Sequence, residues 1–280
     1  MASLLVTIGP QDIDPIVASW SGRVTAGGGS IPTLTTLEAL TDFTYGLKAD
    51  NIFTKMISVN AFVPDSLIAS ITPVIQTSGS SVWTNNNFVS ADLTVNGLLG
   101  NGSNKWLDTG VNVSTAYGND TSAGLSVYES TTTVSNVCAI GAAANSSTTG
   151  LELFTNSFGG AILFDCWNNS NSTGRLATSV PTASGFTSGN RTAANDFRTY
   201  FGNSNIPFAQ QGIQATTGNS HSDTNFTIGC FVDHVTTGNF FFSNRRMSFA
   251  AIHTGLTSTE CNNFFNRVQT LRQAFRGGFS

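Results

Sequence analysis

The stretch Ala161-Ile-Leu-Phe-Asp-Cys-Trp-Asn-Asn-Ser-Asn171 joins a strand pattern to a turn pattern. Ile162 and Phe164 share one side of an extended chain, because successive side chains of a strand alternate between its faces. The Asn-rich run that follows is typical of a turn. The same alternation recurs in Leu93 with Val95, Leu125 with Val127, Phe226 with Ile228 and Val232, and Met247 with Phe249. Many short strands with Gly and Asn turns predict an all-β sandwich or barrel.

Charged residues make up only 10% of the 280 residues, well below the ~25% typical of soluble domains. The net charge is -4 with 12 Lys plus Arg, which argues against a nucleic-acid partner because phosphate binding needs a concentrated basic surface. The adjacent pair Arg245-Arg246 is expected to be solvated on a turn. No apolar stretch approaches the ~20 residues of a membrane-spanning helix, so no membrane partner is expected.

The cysteines are widely spaced and sit among apolar or strand-like residues, at Cys138, Cys166, Cys230 and Cys261. This spacing indicates buried free thiols rather than a disulfide framework or a zinc knuckle. No pair of loop carboxylates stands out as a calcium site, which needs several hard oxygen ligands. The sequence therefore predicts neither a metal nor another cofactor.

The first fifty residues differ in character from the rest of the chain. Residues 13–24 are too short and too broken for a domain, and the Gly-rich run Thr25–Ser30 follows them, so an arm with a flexible joint is expected. Apolar residues from Leu34 to Leu47 recur at helical spacing after Pro32, which predicts a helix over 33–49. We divide the chain into an arm and helix, 1–54, and a sandwich, 55–280.

The chain closes with the segment Leu256-Thr-Ser-Thr-Glu-Cys261. Thr257 can cap a helix while Glu260 reaches back to the amide of the cap residue, the pattern of a capping box. Cys261, Phe264, Phe265, Val268, Leu271 and Phe275 then form one apolar face. A C-terminal helix packed on the sheets is expected.

Three stretches together carry a family resemblance. The segment Gly97-Leu-Leu-Gly-Asn-Gly-Ser-Asn-Lys-Trp-Leu-Asp-Thr-Gly110 resembles an early-strand motif of laminin-G-like, concanavalin A-like lectin-glucanase domains of phage and virus structural proteins. The blocks 28–52 and 248–257 resemble the helix that precedes such domains and their closing strand and helix. The resemblance implies a two-sheet antiparallel jelly-roll sandwich with a helix near each terminus, displayed on fibres or capsids.

Catalytic patterns are weak. The related glucanases use two carboxylates alternating on one strand, and none of Glu38, Glu129, Glu152 and Glu260 has an acidic neighbour two residues away. No Gly-x-Ser-x-Gly occurs, and packing is a simpler role than catalysis for His221, His234 and His253. We predict that the protein is not an enzyme.

Sugar binding needs an aromatic face for stacking and polar groups that grip hydroxyls. Asp165, Trp167, Asn169 and Asn171 supply that mixture at the end of a strand and are the candidate carbohydrate-binding residues. In the alternative, Trp167 covers the edge of the core and the Asn run only forms a turn.

Three functions remain open, of which the third is a degraded or unrecognised glycanase. The first is a non-enzymatic virion structural protein at the particle surface, a head-decoration or fibre component, which associates with other virion proteins and with itself, possibly as a trimer. The arm is its best support, because such a segment can become ordered on a partner. The alternative is a free-standing lectin-like module that recognises a host surface glycan.

Overall fold

The computed structural model describes residues 12–118, 122–131, 135–143, 150–167, 174–214, 223–233 and 238–276. The helices are α1 (Pro15–Ala26), α2 (Leu34–Ala49), α3 (Leu67–Ile71), α4 (Val113–Tyr117) and α5 (Ser258–Arg276), with 3-10 turns at Phe53–Lys55 and Ser90–Asp92. The strands are β1 (Met56–Asn60), β2 (Ile75–Gln76), β3 (Thr84–Asn86), β4 (Leu93–Thr94), β5 (Gly97–Leu99), β6 (Trp106–Asn112), β7 (Ala123–Glu129), β8 (Cys138–Ala142), β9 (Leu151–Ser157), β10 (Ala161–Cys166), β11 (Arg175–Ser179), β12 (Gly185–Ala193), β13 (Asp196–Gly202), β14 (Ala209–Gln214), β15 (Asn225–Ile228), β16 (Phe231–Asp233), β17 (Gly238–Phe240) and β18 (Arg246–His253).

Within these residues the strands form two large antiparallel sheets. The first has nine strands in the order β14-β13-β12-β7-β18-β1-β2, with β5 paired to β18 and β4 paired to β5. The second has seven strands in the order β11-β10-β9-β8-β15-β6-β3, and β16 and β17 form a small separate hairpin. The predicted two-sheet antiparallel sandwich with a helix near each terminus is confirmed.

The main core lies between the two sheets. Alternate residues of the central strands point into it, as the period-2 pattern predicted, because only one face of a strand can meet the opposite sheet. The predicted pair Met247 and Phe249 is an exception, because the register shifts between them and Phe249 lies in the cluster on the helical side. Its buried members include Leu125, Val127, Leu153, Ile162, Phe164, Phe226, Ile228 and Ile252.

A helical layer covers the other face of the first sheet. Phe249 of β18 and Phe186 of β12 pack on Phe264 of α5, with ring centroids 5.6 and 5.7 Å apart, and Phe43 of α2 lies 5.9 Å from Phe249. Helices α1, α2 and α5 therefore share one hydrophobic cluster with the strands of this sheet.

Both predicted helices are confirmed. In α2, the Thr33 side chain accepts a hydrogen bond from the Thr36 amide. In α5, the Glu260 amide donates to Thr257 Oγ1 (3.3 Å), and the Thr257 amide donates to Glu260 Oε2 (2.8 Å), which is the predicted capping box. Lys55 also contacts Glu260, with 2.7 Å between Nζ and Oε2.

The predicted arm is wrong for residues 15–26, which form helix α1. Val17, Trp20 and Val24 recur at the i, i+3, i+7 spacing of one helix face and are fully buried. The Trp20 indole donates to the Thr72 carbonyl oxygen (2.9 Å), and the Gly29 amide caps the helix end through the Val24 carbonyl (2.9 Å). The Gly-rich run is thus the end of a packed helix.

The glycine at the start of the stretch that carries the family resemblance has a geometric role. Gly97 has a φ of +104°, and a Cβ atom there would collide with the Met247 carbonyl. Only glycine lets β5 approach β18 this closely in that conformation.

Arg245 also departs from the sequence prediction, because it is buried rather than solvated. It forms a fully buried ion pair with Glu129, with 3.1 Å between Nη1 and Oε2. Its Nη2 donates to the carbonyl oxygens of Ser135 (3.0 Å) and Asn156 (2.9 Å). Burial raises the pKa of Glu129, against the attraction of Arg245.

Among the described helices, none combines the length and apolarity needed to cross a membrane.

Trp20→Ala should lower the free energy of unfolding by about 3–5 kcal/mol, the usual cost of deleting a large buried aromatic side chain. Ile31→Ala is the matched control, because Ile31 is 79% exposed. Urea unfolding followed by circular dichroism measures both changes. Equal stability of Trp20→Ala and Ile31→Ala would contradict the packed position of α1.

Candidate functional site

Two of the predicted sugar-site residues, Asp165 and Trp167, lie at the end of β10. Trp167 is 1% exposed, and its ring packs edge-on against Tyr117 with centroids 5.3 Å apart. Asp165 is fully buried and accepts two hydrogen bonds from Arg175, at Oδ1 (2.7 Å) and Oδ2 (2.6 Å). Asn169 and Asn171 lie outside the described residues. This geometry favours the packing alternative for Trp167, while the sugar site as a whole stays a prediction.

The sheet brings together two carboxyl groups that the sequence left apart. Asp165 lies directly opposite Glu152 in the β9–β10 register, and the two carboxyl groups interact. Burial raises the pKa of Asp165, against the opposing effect of Arg175. A search for acidic residues alternating on one strand could not find this pair, because the partners sit on neighbouring strands. Both side chains are buried in a structural network.

His253 also belongs to a buried network, and His221 and His234 lie outside the described residues. The His253 ring contacts Ser126 Oγ through Nε2 (2.8 Å) and the Thr254 carbonyl oxygen through Nδ1 (2.8 Å). A carbonyl oxygen can only accept, so Nδ1 carries the proton and Nε2 accepts from Ser126. Ser188 continues the chain, 2.7 Å from Ser126 Oγ. The arrangement suits a neutral imidazole.

The cysteines are buried free thiols, as predicted. Burial raises the pKa of Cys166 and of Cys230 to about 12, which keeps both thiols protonated and unreactive. Among the described residues, no group of three or more His, Cys, Asp or Glu side chains is placed to hold a metal ion.

A polar cleft opens at the ends of several strands of the first sheet. β7 ends at Glu129, β12 begins at Gly185 and β13 ends at Gly202, and antiparallel pairing places these three points together. The last turns of α5 contribute Arg272 and Arg276 to the lining of the cleft. Its volume is about 360 Å³, within the range of roughly 300–1,000 Å³ of small-ligand sites. We call it the arginine cleft; Asn96, Tyr128, Ser130, Thr182, Ser184, Asn203, Ser204, Asn205, Ile206, Arg272 and Arg276 line it.

One wall of the arginine cleft is a turn organised by Asn203. Its Oδ1 accepts from the amides of Asn205 and Ile206, both at 2.8 Å, and its Nδ2 donates to the Ser184 carbonyl (2.7 Å). Ser130 forms part of the opposite wall and donates to the Asn96 carbonyl (3.2 Å). The turn thus fixes hydroxyl and amide groups around the opening.

The remaining wall carries two positive charges. The Arg272 guanidinium stacks on the Tyr128 ring, with 3.1 Å between Cζ and the ring centroid. Burial lowers the pKa of Arg272 to about 10, with a further contribution from nearby Arg276. Burial also lowers the pKa of Arg276. The described lining residues include no Asp or Glu.

A larger groove of about 450 Å³ lies between α2 and α5. Arg267 on its wall is already bound to Asp50, with 2.8 Å between Nε and Oδ2 and 3.2 Å between Nη2 and Oδ1. The groove is more apolar than the arginine cleft and offers fewer polar groups to a ligand. It is the weaker candidate.

An exposed aromatic cluster marks a different surface. Phe154, Phe158 and Phe241 form a triangle of rings with centroids 5.6 to 5.9 Å apart. Phe158 and Phe241 are 46% and 41% exposed. Both have positive φ angles, 47° and 55°, an uncommon conformation for bulky residues. This cluster is the second candidate for ligand contact.

Comparisons with known proteins concern the sandwich. No protein-family model and no curated protein matches the sequence. An arabinofuranosidase in complex with arabinofuranosyl-α-1,2-xylobiose is 11% identical, with a TM-score of 0.48 over 78% of this chain and 59% of that chain. A GH54 α-L-arabinofuranosidase soaked with a cyclic sulfate inhibitor is 11% identical, with a TM-score of 0.45 over 78% of this chain and 48% of that chain.

A third similar structure is the CBM40 module of Ruminococcus gnavus IT-sialidase bound to α2,3-sialyllactose. It is 12% identical, with a TM-score of 0.42 over 67% of this chain and 99% of that chain. The chain spans only 48% to 59% of the two arabinofuranosidase chains. These similarities assign neither ligand nor activity to this protein. The resemblance to laminin-G-like domains of phage and virus proteins stays a prediction.

His253 should make stability depend on pH. Burial lowers its pKa from 6.5 to about 4, so between these values the unfolded chain binds a proton that the folded chain does not. Stability is then fully present above pH 6.5 and falls towards pH 4, by about 3 kcal/mol over the whole interval. Urea unfolding between pH 4.5 and 7.5 measures this loss.

His253→Gln should remove this contribution, so that its stability depends less steeply on pH than that of the unmodified chain. Other titrating groups remain in both proteins, and the difference between the two slopes isolates His253. Identical slopes would show that His253 is not held neutral.

Proposed function

We propose that this protein is a non-enzymatic carbohydrate-binding β-sandwich module whose glycan occupies the arginine cleft. The observation that carries the proposal is the chemistry of the cleft wall, which combines serine, threonine and asparagine groups with two guanidinium groups, one of them, that of Arg272, stacked on the Tyr128 ring. Sugars offer many hydroxyls that both donate and accept hydrogen bonds, and a wall of hydroxyls and amides matches them.

The position of the arginine cleft also supports binding. Its turn is held by three hydrogen bonds to Asn203, so the wall is organised before a ligand arrives. A site that needs little reorganisation loses less free energy on binding. Ser204 and Asn205 are exposed at the opening, where a glycan attached to a larger surface can reach them.

We propose that the protein binds its glycan without hydrolysing it. Hydrolysis of a glycoside generally needs a carboxylic acid and a second carboxylate on either side of the scissile bond. The described wall of the arginine cleft has neither, and Glu152 and Asp165 pair with each other away from it. A binding role is the simpler fit to these side chains.

The placement on a virus particle stays a prediction, as do the fibre or head-decoration role, the other virion proteins as partners, and the oligomer. The arm was the main support for that interpretation. Because Val17, Trp20 and Val24 of α1 are buried in the hydrophobic cluster that the helices share with the first sheet, residues 15–26 no longer supply it.

Ser204→Trp should fill the opening of the arginine cleft and weaken glycan binding at least about tenfold, a loss of about 1.4 kcal/mol. A glycan array identifies the ligand, and isothermal titration with the best glycan measures the affinity. Ser103→Trp adds the same side chain at an exposed position outside the cleft and should bind normally.

Phe158→Ala locates the site independently, because Phe158 belongs to the aromatic cluster. It should leave the affinity unchanged. Glycan binding that is lost in Phe158→Ala but kept in Ser204→Trp would move the site to the aromatic cluster and overturn the assignment to the arginine cleft. No glycan bound by the unmodified protein would overturn the proposed function itself.

A further inference from the structure

Most cations of this protein have an anionic partner. Lys48, Lys55, Lys105, Arg175, Arg198, Arg245 and Arg267 each form an ion pair with a carboxylate. Arg272 and Arg276 form no ion pair with any carboxylate of the described residues. They are also the two arginines of the arginine cleft. The arginine cleft therefore holds two positive charges that no carboxylate of the described residues neutralises.

Resting on the function proposed above, we propose that the ligand of the arginine cleft is an acidic sugar, whose carboxylate is held by Arg276 with Arg272 beside it.

Arg276 supplies the unpartnered donor. Its Nη2 atom is buried and has no hydrogen-bond partner among the residues that the structure describes. A buried N–H group without an acceptor costs free energy, and buried N–H groups in folded proteins therefore usually have a partner. A bound ligand can supply the acceptor that Arg276 lacks. A carboxylate offers two oxygens in one plane, which match two N–H groups of a guanidinium fork.

Arg272 is held in place by neutral groups. Its Nε donates to Ser248 Oγ (3.2 Å), its Nη1 contacts Gln269 Oε1 (3.3 Å), and its plane lies on Tyr128. These contacts fix the orientation of the guanidinium but leave its charge uncompensated. Each arginine disfavours the charge of the other, and an anion between them relieves that repulsion.

The rim of the cleft accounts for the sugar part of the ligand. Ser130, Thr182, Ser184 and Asn205 surround the arginines with neutral polar side chains. A bare anion would use only the guanidinium groups. A pyranose ring that bears a carboxylate uses the rim and the arginines together, because its hydroxyls contact the rim and its acid group contacts the guanidinium groups.

The test compares sugar acids with their methyl esters, because esterification removes the charge and keeps the ring. Methyl glycosides of glucuronic acid and of N-acetylneuraminic acid are titrated against the protein, each beside its ester. At least one free acid should bind roughly 10- to 100-fold more tightly than its ester, the range expected for a charge-assisted hydrogen bond.

Three variants assign the effect to residues. Arg276→Gln should abolish the preference for the acid over the ester, whereas Arg276→Lys, which keeps the charge but loses the fork, should retain part of it. Arg198→Gln removes the same charge from a surface ion pair outside the cleft and should retain the full preference. Thermal unfolding confirms that each variant is folded.

The outcomes separate this inference from the proposed function. Equal binding of acid and ester, blocked by Ser204→Trp, would keep the glycan site and overturn the carboxylate. An acid preference that survives in Arg276→Gln would also overturn it. Acetate binding as tightly as the sugar acids would keep an arginine-held carboxylate but overturn the glycan-binding function. Tighter binding of a sulfated sugar than of every sugar acid would overturn the carboxylate as the recognised group.

Discussion

The central strands of the nine-stranded sheet are buried on both faces, and the rest of the structure depends on that constraint. All residues of β7 are buried, with Leu125 and Val127 facing the second sheet and Tyr128 facing the helices. A sheet that is apolar on both faces needs a cover on each. The second sheet supplies one cover, and α1, α2 and α5 supply the other.

Polar side chains on these buried strands must find partners inside the protein. Ser126, Ser188 and His253 satisfy one another beneath α5. Glu129 at the end of β7 pairs with Arg245, whose guanidinium also donates to the Asn156 carbonyl oxygen of β9 and so ties the two sheets together. The chain has few charged residues, and several of them lie in the interior, where they have structural roles.

The arginine cleft is a consequence of the helical layer. Helix α5 packs on the first sheet and buries Phe264 against it. Its last turns reach the side of the sheet where β7 and β13 end and β12 begins. Its final turns place Arg272 over Tyr128, and Arg276 follows one turn later. The helix that stabilises the sheet therefore also supplies the charged wall of the proposed binding site.

The sequence by itself determined the elements whose signals are local. Alternating apolar residues marked the strands, and Thr257 with Glu260 marked the start of α5, because period and capping depend on near neighbours. The helical spacing of Val17, Trp20 and Val24 was also present, but its amphipathic face gains stability only by packing on the rest of the cluster.

Tertiary structure alone decided which face of each element is covered and which distant residues meet. Period-2 alternation shows that Asp165 and Glu152 point outward from the core of their sheet, but only strand pairing makes them neighbours. The same holds for the cleft, where residues from Asn96 to Arg276 converge. Contacts between residues so far apart in the chain arise from sheet order and helix placement, and no local sequence pattern encodes them.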